Sequence, residues 1–221
     1  MIRFFDIFLS FSALVILSPL FLILIIILKF TGEGEIFYLQ KRIGFQRKKF
    51  NLFKFATMNK NSPDHGHGNI TVKNDPRILP LGKFLRDTKI NELPQLLNIF
   101  MGDMSIIGPR PLVEEGFNSY PIDLSLRMEK IKPGISGLAS LILRNEEEVL
   151  SKTSTPKDFH SNVLVPYKAE VEIWYEKRKN LKNYFLLILL TLVIVIFPRT
   201  KILRFFYKNI PSPPLELNKF L

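Results

Sequence analysis

The stretch from Leu85 to Pro111, LRDTKINELPQLLNIFMGDMSIIGPRP, gathers residue types that handle phosphate. Arg77, Lys83, Arg86 and Lys89 stand upstream of an acid, Glu92, and Arg110 follows inside Gly108-Pro109-Arg110-Pro111. Pro109 and Pro111 restrict the backbone on either side of Arg110, so its guanidinium is held for bidentate contact with phosphate oxygens. Asn91 is a preferred N-cap, Glu92 then falls in the first turn, and Pro94 sits where a missing N–H costs nothing. A helix start offers unpaired N–H groups and a partial positive charge to an anion. The same cap and first-turn acid also begin helices that bind nothing, so spacing alone leaves both readings open.

The elements that must position these residues follow from periodicity. Ile90, Leu93, Leu97, Phe100 and Met104 recur at three- and four-residue steps and predict an amphipathic helix with one face on a core. Ile36 to Gln40 and Phe50 to Phe55 read as strands of a hairpin with a basic tip. Ile131-Lys132-Pro133-Gly134-Ile135-Ser136-Gly137 reads as a loop whose glycines, Gly134 and Gly137, let backbone N–H groups approach a ligand. His65 and His67 lie in a glycine loop from Asn61 to Asn74, with no cysteine and no third ligand nearby, and a metal site there is declined. The run Glu146-Glu147-Glu148 reads as a solvated helix face without a role.

Ile7 to Leu28 is 22 residues without a charge, enough at about 1.5 Å per residue to cross a bilayer. Two details argue for a re-entrant hairpin over a kinked spanning helix. Ser18-Pro19 falls mid-segment, where proline removes a helical hydrogen bond. Both flanks are also basic, with Arg3 before and Lys29, Lys41, Arg42, Arg47, Lys48 and Lys49 after. The run is too long for a signal peptide and lacks a small-residue cleavage site. Trp174 and Tyr175 are residues of membrane interfaces, and Tyr184 to Phe197, 14 uncharged residues, suits an interfacial or core helix. Residues 201–208 read as a surface-lying amphipathic segment, and Pro211, Pro213 and Pro214 predict a poorly ordered end.

The central stretch resembles the signature of the bacterial sugar transferases, the monotopic phosphoglycosyl transferases, roughly LRxTxxDELPQLxNVxxGDMSxVGPRP. Gln40, Arg42, Gly44, Phe50, Lys54, Phe55, Thr57 and Met58 match a second run, QxRxGxxxxxFxxxKFxTM, and the glycine loop matches KPGxTG. The resemblance implies transfer of a phospho-sugar from a UDP-sugar to polyprenyl phosphate with release of UMP, and an Mg²⁺ cofactor. It implies a monotopic protein on the cytoplasmic face of the bacterial inner membrane, with the helix broken at Ser18 and Pro19. Arg86, Arg110, Lys54 and Arg77 would then bind substrate phosphate, and Glu92 would hold the metal. Pro109, Pro111, Gly134 and Gly137 would form the substrate loop. The chain departs from the signature at Asn91, where the family's nucleophilic aspartate stands. Direct attack by the lipid phosphate, Glu92 as nucleophile, and a non-catalytic scaffold of a glycan-assembly complex all remain open, and a lipid-phosphate hydrolase is a further alternative without a motif of its own.

Composition agrees. The 221 residues allow one cored domain plus a membrane segment. The implied fold is α+β and mostly helical: a membrane helix hairpin over 1–30, a catalytic domain with a short β-hairpin and interfacial helices over 31–200, and a tail over 201–221. A net charge of +11 suits anionic lipid and anionic substrates. Nucleic acid is disfavoured, because no zinc-finger, basic-zipper or RNA-binding signature is present. A second copy of the chain or other glycan-assembly enzymes are the protein partners the resemblance admits. The absence of cysteine removes disulfide and thiolate chemistry.

Overall fold

A computed structural model describes residues 1–60, 62, 75–197, 200 and 202–220. His65, His67 and most of their glycine loop lie outside the described residues. The chain is mostly helical around two small sheets.

Helix α1 (Ile2–Lys29) carries Pro19 inside it. Helical structure therefore runs through Ser18-Pro19, the point at which the sequence predicts a break. Ser18 turns its hydroxyl back onto the Val15 carbonyl at 2.8 Å, a local bond that occupies a backbone acceptor near the proline. Both ends of α1 dock on the same body. Near its start, Arg3 donates to the carbonyls of Ile99 and Phe100 at 2.6 and 2.9 Å. Asp6 is buried and accepts from the Ser105 hydroxyl, the Ile106 N–H and the Tyr184 hydroxyl at 2.8 to 2.9 Å. Near its end, Leu24 and Leu28 are buried with Phe55 and Leu85. Between them Phe8, Phe11, Val15, Ile16, Leu22 and Ile23 stay exposed, an apolar surface far larger than an ordinary soluble face.

The expected hairpin is present. Strands β1 (Phe37–Ile43) and β2 (Lys49–Phe55) pair antiparallel, with Phe37 opposite Phe55 and Ile43 opposite Lys49. Helix α2 (Pro80–Asp87) leads to a 3-10 turn at Ile90–Glu92 and to α3 (Gln95–Met101), which Gly102 ends in the left-handed region. The face of α3 that enters the core is Gln95, Asn98 and Ile99, and the apolar stripe read from the sequence lies mainly elsewhere. Phe100 instead meets Phe11 of α1, ring centroids 5.9 Å apart. Asn98 explains the choice. Its side chain accepts the Phe53 N–H at 3.0 Å and donates to the Asn51 carbonyl at 2.8 Å, which stitches α3 to the hairpin edge.

Strand β3 (Ser105–Ile107) is followed by α4 (Glu114–Asn118) and α5 (Ile122–Met128), and then by β4 (Gly134–Ser136), which pairs parallel with β3. The remaining helices are α6 (Leu138–Ile142), α7 (Glu146–Ser151), α8 (Pro156–Phe159), a π turn at His160–Leu164, α9 (Val165–Glu176), α10 (Leu181–Ile196), α11 (Ile202–Phe206) and α12 (Leu215–Asn218). The largest core packs Ile107, Leu138, Leu164, Val171, Tyr175, Tyr184 and Leu187 together. At roughly 1.5–3 kcal/mol per buried large apolar side chain, this cluster is a main source of stability.

Two expectations about this half are corrected. Tyr175 is a core residue whose hydroxyl reaches the Asn183 carbonyl at 3.2 Å, whereas Trp174 is half-buried, edge-on to Tyr207 and with the Arg178 guanidinium 4.0 Å from its ring centroid. The C-terminal end is packed rather than loose: Leu217 is fully buried, Phe220 meets Phe159, and the Pro211 carbonyl accepts from the Tyr167 hydroxyl. The prolines shape the path of this segment without preventing it from docking. Helix α10 is apolar all round, with Tyr184, Leu187, Leu190 and Ile194 in the core and Leu189, Leu192, Val195 and Ile196 exposed.

Candidate active site

Arg110 and Glu92 form the centre. Arg110 Nη2 donates to Glu92 Oε1 at 2.8 Å and Nη1 to Oε2 at 3.1 Å, so one guanidinium holds both carboxylate oxygens. Glu92 closes the 3-10 turn, and Lys89 just before it has φ +60°. That left-handed residue reverses the chain between α2 and the turn at a cost of order 1 kcal/mol. Burial pushes the Glu92 carboxyl upward, but the charge and hydrogen bonds of Arg110, with Lys54 and Lys89, hold it well below the usual carboxylate range.

The Gly-Pro-Arg-Pro segment is fixed by more than its prolines. Gly108 N–H bonds the Ser136 carbonyl and Gly134 N–H bonds the Pro109 carbonyl, both at 2.9 Å. Arg42 Nη1 donates to the Pro111 carbonyl at 2.9 Å. The Gly134 N–H is thus taken by backbone, and both Gly134 and Gly137 have a packing reason to be glycine. A Cβ on Gly134 would lie 2.1 Å from Gly108 N, and one on Gly137 would lie 2.5 Å from both the Gly108 carbonyl and Glu172 Oε1. Their smallness lets β4 press against the segment that carries Arg110.

Lys54 and Arg42, on β2 and β1, complete a cationic wall. Burial, then the charges of Arg110 and Arg42, keep the Lys54 ammonium well below the usual lysine range. Burial and Arg110 push Arg42 down to about 10. Arg86 adds charge to the same wall and pairs with Glu147 at 3.3 Å. Arg77 does not join it: its guanidinium grips Asp75 at 2.6 and 2.8 Å and the Ser62 carbonyl at 2.7 Å, bracing the approach to α2.

The acidic run at 146–148 is not a plain solvated face. Glu146 pairs with Lys168 at 2.5 Å and lies 3.6 Å from His160 Nε2, while the charges of Glu146 and Glu147 reach Arg110. Glu148 keeps the surface role, paired with Lys152. Burial lowers the His160 imidazole pKa despite Glu146 beside it. These residues, with Arg42, are the ones sequence reasoning missed at the site, since a pairing across 22 residues leaves no local pattern.

Asn91 is also repositioned. It lies inside the 3-10 turn and not at a helix cap, and α3 is a seven-residue helix with Pro94 at its N-cap. Its side chain is buried and Oδ1 has no hydrogen-bond partner; Gln95 Nε2 is in the same state. A buried amide oxygen is a poor nucleophile, whereas the cationic wall around Glu92 suits an anion carrying more than one charge.

The bacterial sugar transferase family model matches residues 1–198 of this sequence. The exopolysaccharide production protein ExoY of Rhizobium meliloti (strain 1021) is 32% identical over 174 residues, covering 72% of this chain and 76% of that protein. The exopolysaccharide production protein PSS of Rhizobium leguminosarum bv. phaseoli is 38% identical over 149 residues, covering 63% and 72%. The UDP-glucose:undecaprenyl-phosphate glucose-1-phosphate transferase of Klebsiella pneumoniae is 38% identical over 151 residues, covering 66% of this chain and 32% of that longer protein.

Proposed function

This chain belongs to the bacterial sugar transferase family and is a sugar-phosphate transferase; from that premise we propose that it moves a phospho-sugar from a UDP-sugar to polyprenyl phosphate and releases UMP. The observation that carries the reading is the excess of positive charge around the Glu92–Arg110 pair. Arg42, Lys54 and Arg86 join Arg110 with Glu92 as the acid among them; burial first, and then the charge of Arg110, lowers both the lysine and Arg42. A pyrophosphate entering this wall relieves that repulsion, and the guanidinium of Arg110 stabilises charge that grows on the leaving phosphate.

Asn91 and the locked state of Glu92 favour direct transfer. An oxygen of the lipid phosphate attacks the sugar-bearing phosphorus, the bond from that phosphorus to the bridging oxygen breaks, and the bridging oxygen leaves on UMP. Glu92, with both oxygens on Arg110, is a weakened nucleophile. Glu92 is the acid that would hold Mg²⁺, and for that one of its oxygens would have to leave Arg110, with substrate phosphates and water completing the shell. Among the described residues no group of three acidic or imidazole side chains competes for that role. Bound there, the ion would supply charge neutralisation on the pyrophosphate.

The placement at a membrane rests on α1. Its exposed apolar middle and two docked ends support a monotopic arrangement with both ends on the cytoplasmic side, so that the site sits at the headgroups where lipid phosphate and soluble nucleotide meet. A single-turnover reaction with UDP-glucose labelled at the sugar-bearing phosphorus tests the chemistry, with other UDP-sugars alongside. The label should pass to the lipid fraction without stopping on the protein. Label retained on the protein would overturn direct transfer, and absence of label from the lipid with every donor would overturn the transferase reading.

A further inference from the structure

An open groove of about 410 Å³ runs between α5 and α9 and shares none of its lining residues with the candidate active site. Its apolar base is Leu124 and Ile173, both buried. Around that base stand Arg127, Lys177 and Arg178, all exposed, against one acid, Glu170. Among the described residues Arg127 and Lys177 enter no ion pair, whereas Lys179, two residues on, is matched by Glu176 at 3.1 Å. Trp174 forms one wall. The Arg178 guanidinium lies 4.0 Å from its ring centroid and Nη1 donates to the Trp174 carbonyl at 3.1 Å, which fixes the fork and leaves its other N–H groups open. Cations gathered round an apolar base suit an anion that carries apolar carbon of its own.

A line of contacts joins this groove to the start of α1. Trp174 is edge-on to Tyr207, ring centroids 6.3 Å apart, and Tyr207 directly follows the exposed Phe205 and Phe206. The hydroxyls of Tyr175 and Tyr207 both donate to the Asn183 carbonyl, at 3.2 and 3.5 Å, in the first turn of α10. Phe185 of that turn meets Phe5 of α1 with ring centroids 4.9 Å apart, beside the exposed Phe4. Exposed aromatic rings interleaved with Lys and Arg are the residue types of a bilayer interface. The groove therefore opens next to a surface that is continuous with the membrane helix.

We propose that this groove binds the phosphodiester headgroup of an anionic glycerophospholipid, with Arg127, Lys177 and Arg178 on the phosphate and Leu124, Ile173 and Trp174 against the glycerol and first acyl carbons. The inference rests on the membrane placement of α1 and gives the groove no part in the transfer reaction. A second lipid contact, remote in sequence from α1, fixes the tilt of the catalytic domain on the headgroups.

Quenching of Trp174 tests this, because it is the sole tryptophan of the sequence. Full-length protein is reconstituted into phosphatidylcholine vesicles carrying either phosphatidylglycerol or phosphatidylcholine brominated on the acyl chains. The relative association constant read from the quenching curves should favour phosphatidylglycerol roughly tenfold, the order expected when more than one cation meets an anionic headgroup. Arg127→Gln combined with Lys177→Gln should bring that ratio close to one while the thermal unfolding of the wild type is kept. If the double variant does not fold, Lys177→Gln alone takes its place and should lower the ratio severalfold. A wild-type ratio near one, or a ratio unchanged in the variant, would overturn the groove as the site. Loss of the ratio on adding glycerol 3-phosphate to the buffer would reveal a site for soluble phosphate esters and overturn the lipid assignment. A wild-type protein that floats with neither kind of vesicle would overturn the membrane placement, and this inference with it.

Discussion

Arg110 holds Glu92 by both carboxylate oxygens, and the two residues come from segments that the β3–β4 pairing and the Lys89 reversal bring together. The pair sets geometry and charge at once. Lysine in place of arginine keeps the charge and loses the fork. Arg110→Lys is expected to lower kcat/KM roughly tenfold or more, measured as UMP release at fixed acceptor. Activity within a factor of two of the wild type would show that the bidentate geometry is not used.

Asp6 ties the start of α1 to the domain through three donors on one buried oxygen. Asp6→Ala leaves the Ser105 hydroxyl, the Ile106 N–H and the Tyr184 hydroxyl without that acceptor, and should destabilise the protein by on the order of 3 kcal/mol or more. Asp6→Asn keeps an oxygen in place and should cost clearly less. Denaturant unfolding in detergent followed by Tyr and Trp fluorescence measures both.

Glu172 is buried, with Oε1 on the Ala139 N–H at 2.9 Å and Oε2 unpartnered. Burial raises its carboxyl to about 7. The native state therefore keeps a proton that the unfolded chain loses near pH 4.5, so stability falls as pH rises from about 4.5 to about 7 and is level above that. The drop should be about 3 kcal/mol, and Glu172→Gln should remove it. Equal slopes for wild type and variant across that window would contradict the assignment.

The proposed monotopic topology rests on the docked ends of α1. Single cysteines placed at residues 2 and 33, in a chain that has none of its own, should both react with an impermeant reagent from the cytoplasmic side only. Reaction of the two from opposite sides would establish a spanning helix.

Much of this site was legible in the sequence because its key residues sit in one continuous motif. Arg110 between two prolines, Glu92 in a turn and the hairpin carrying Lys54 all follow from local chemistry. What the residue types alone could not supply was the choice among competing partners, near or distant. Arg77 reads as one more phosphate cation until Asp75, two residues away, takes it; Glu146 reads as solvated until Lys168 arrives from α9. Gly134 and Gly137 look like ligand-facing glycines because the need for a small residue is the same whether a ligand or the Gly108 backbone approaches. Asn91 reads as a cap because its type favours one, yet Lys89 in a left-handed conformation starts a 3-10 turn one residue earlier. Leu217 shows the opposite error, a proline-rich end that still buries a leucine.

The central claim, acceptor-dependent transfer at the Glu92–Arg110 site, is tested most directly by UMP release from a UDP-sugar with and without undecaprenyl phosphate. Purified wild-type protein is expected to release UMP only when the lipid phosphate is present, and Glu92→Gln to lose most of that release. UMP released equally without the lipid, or undiminished in Glu92→Gln, would contradict the account.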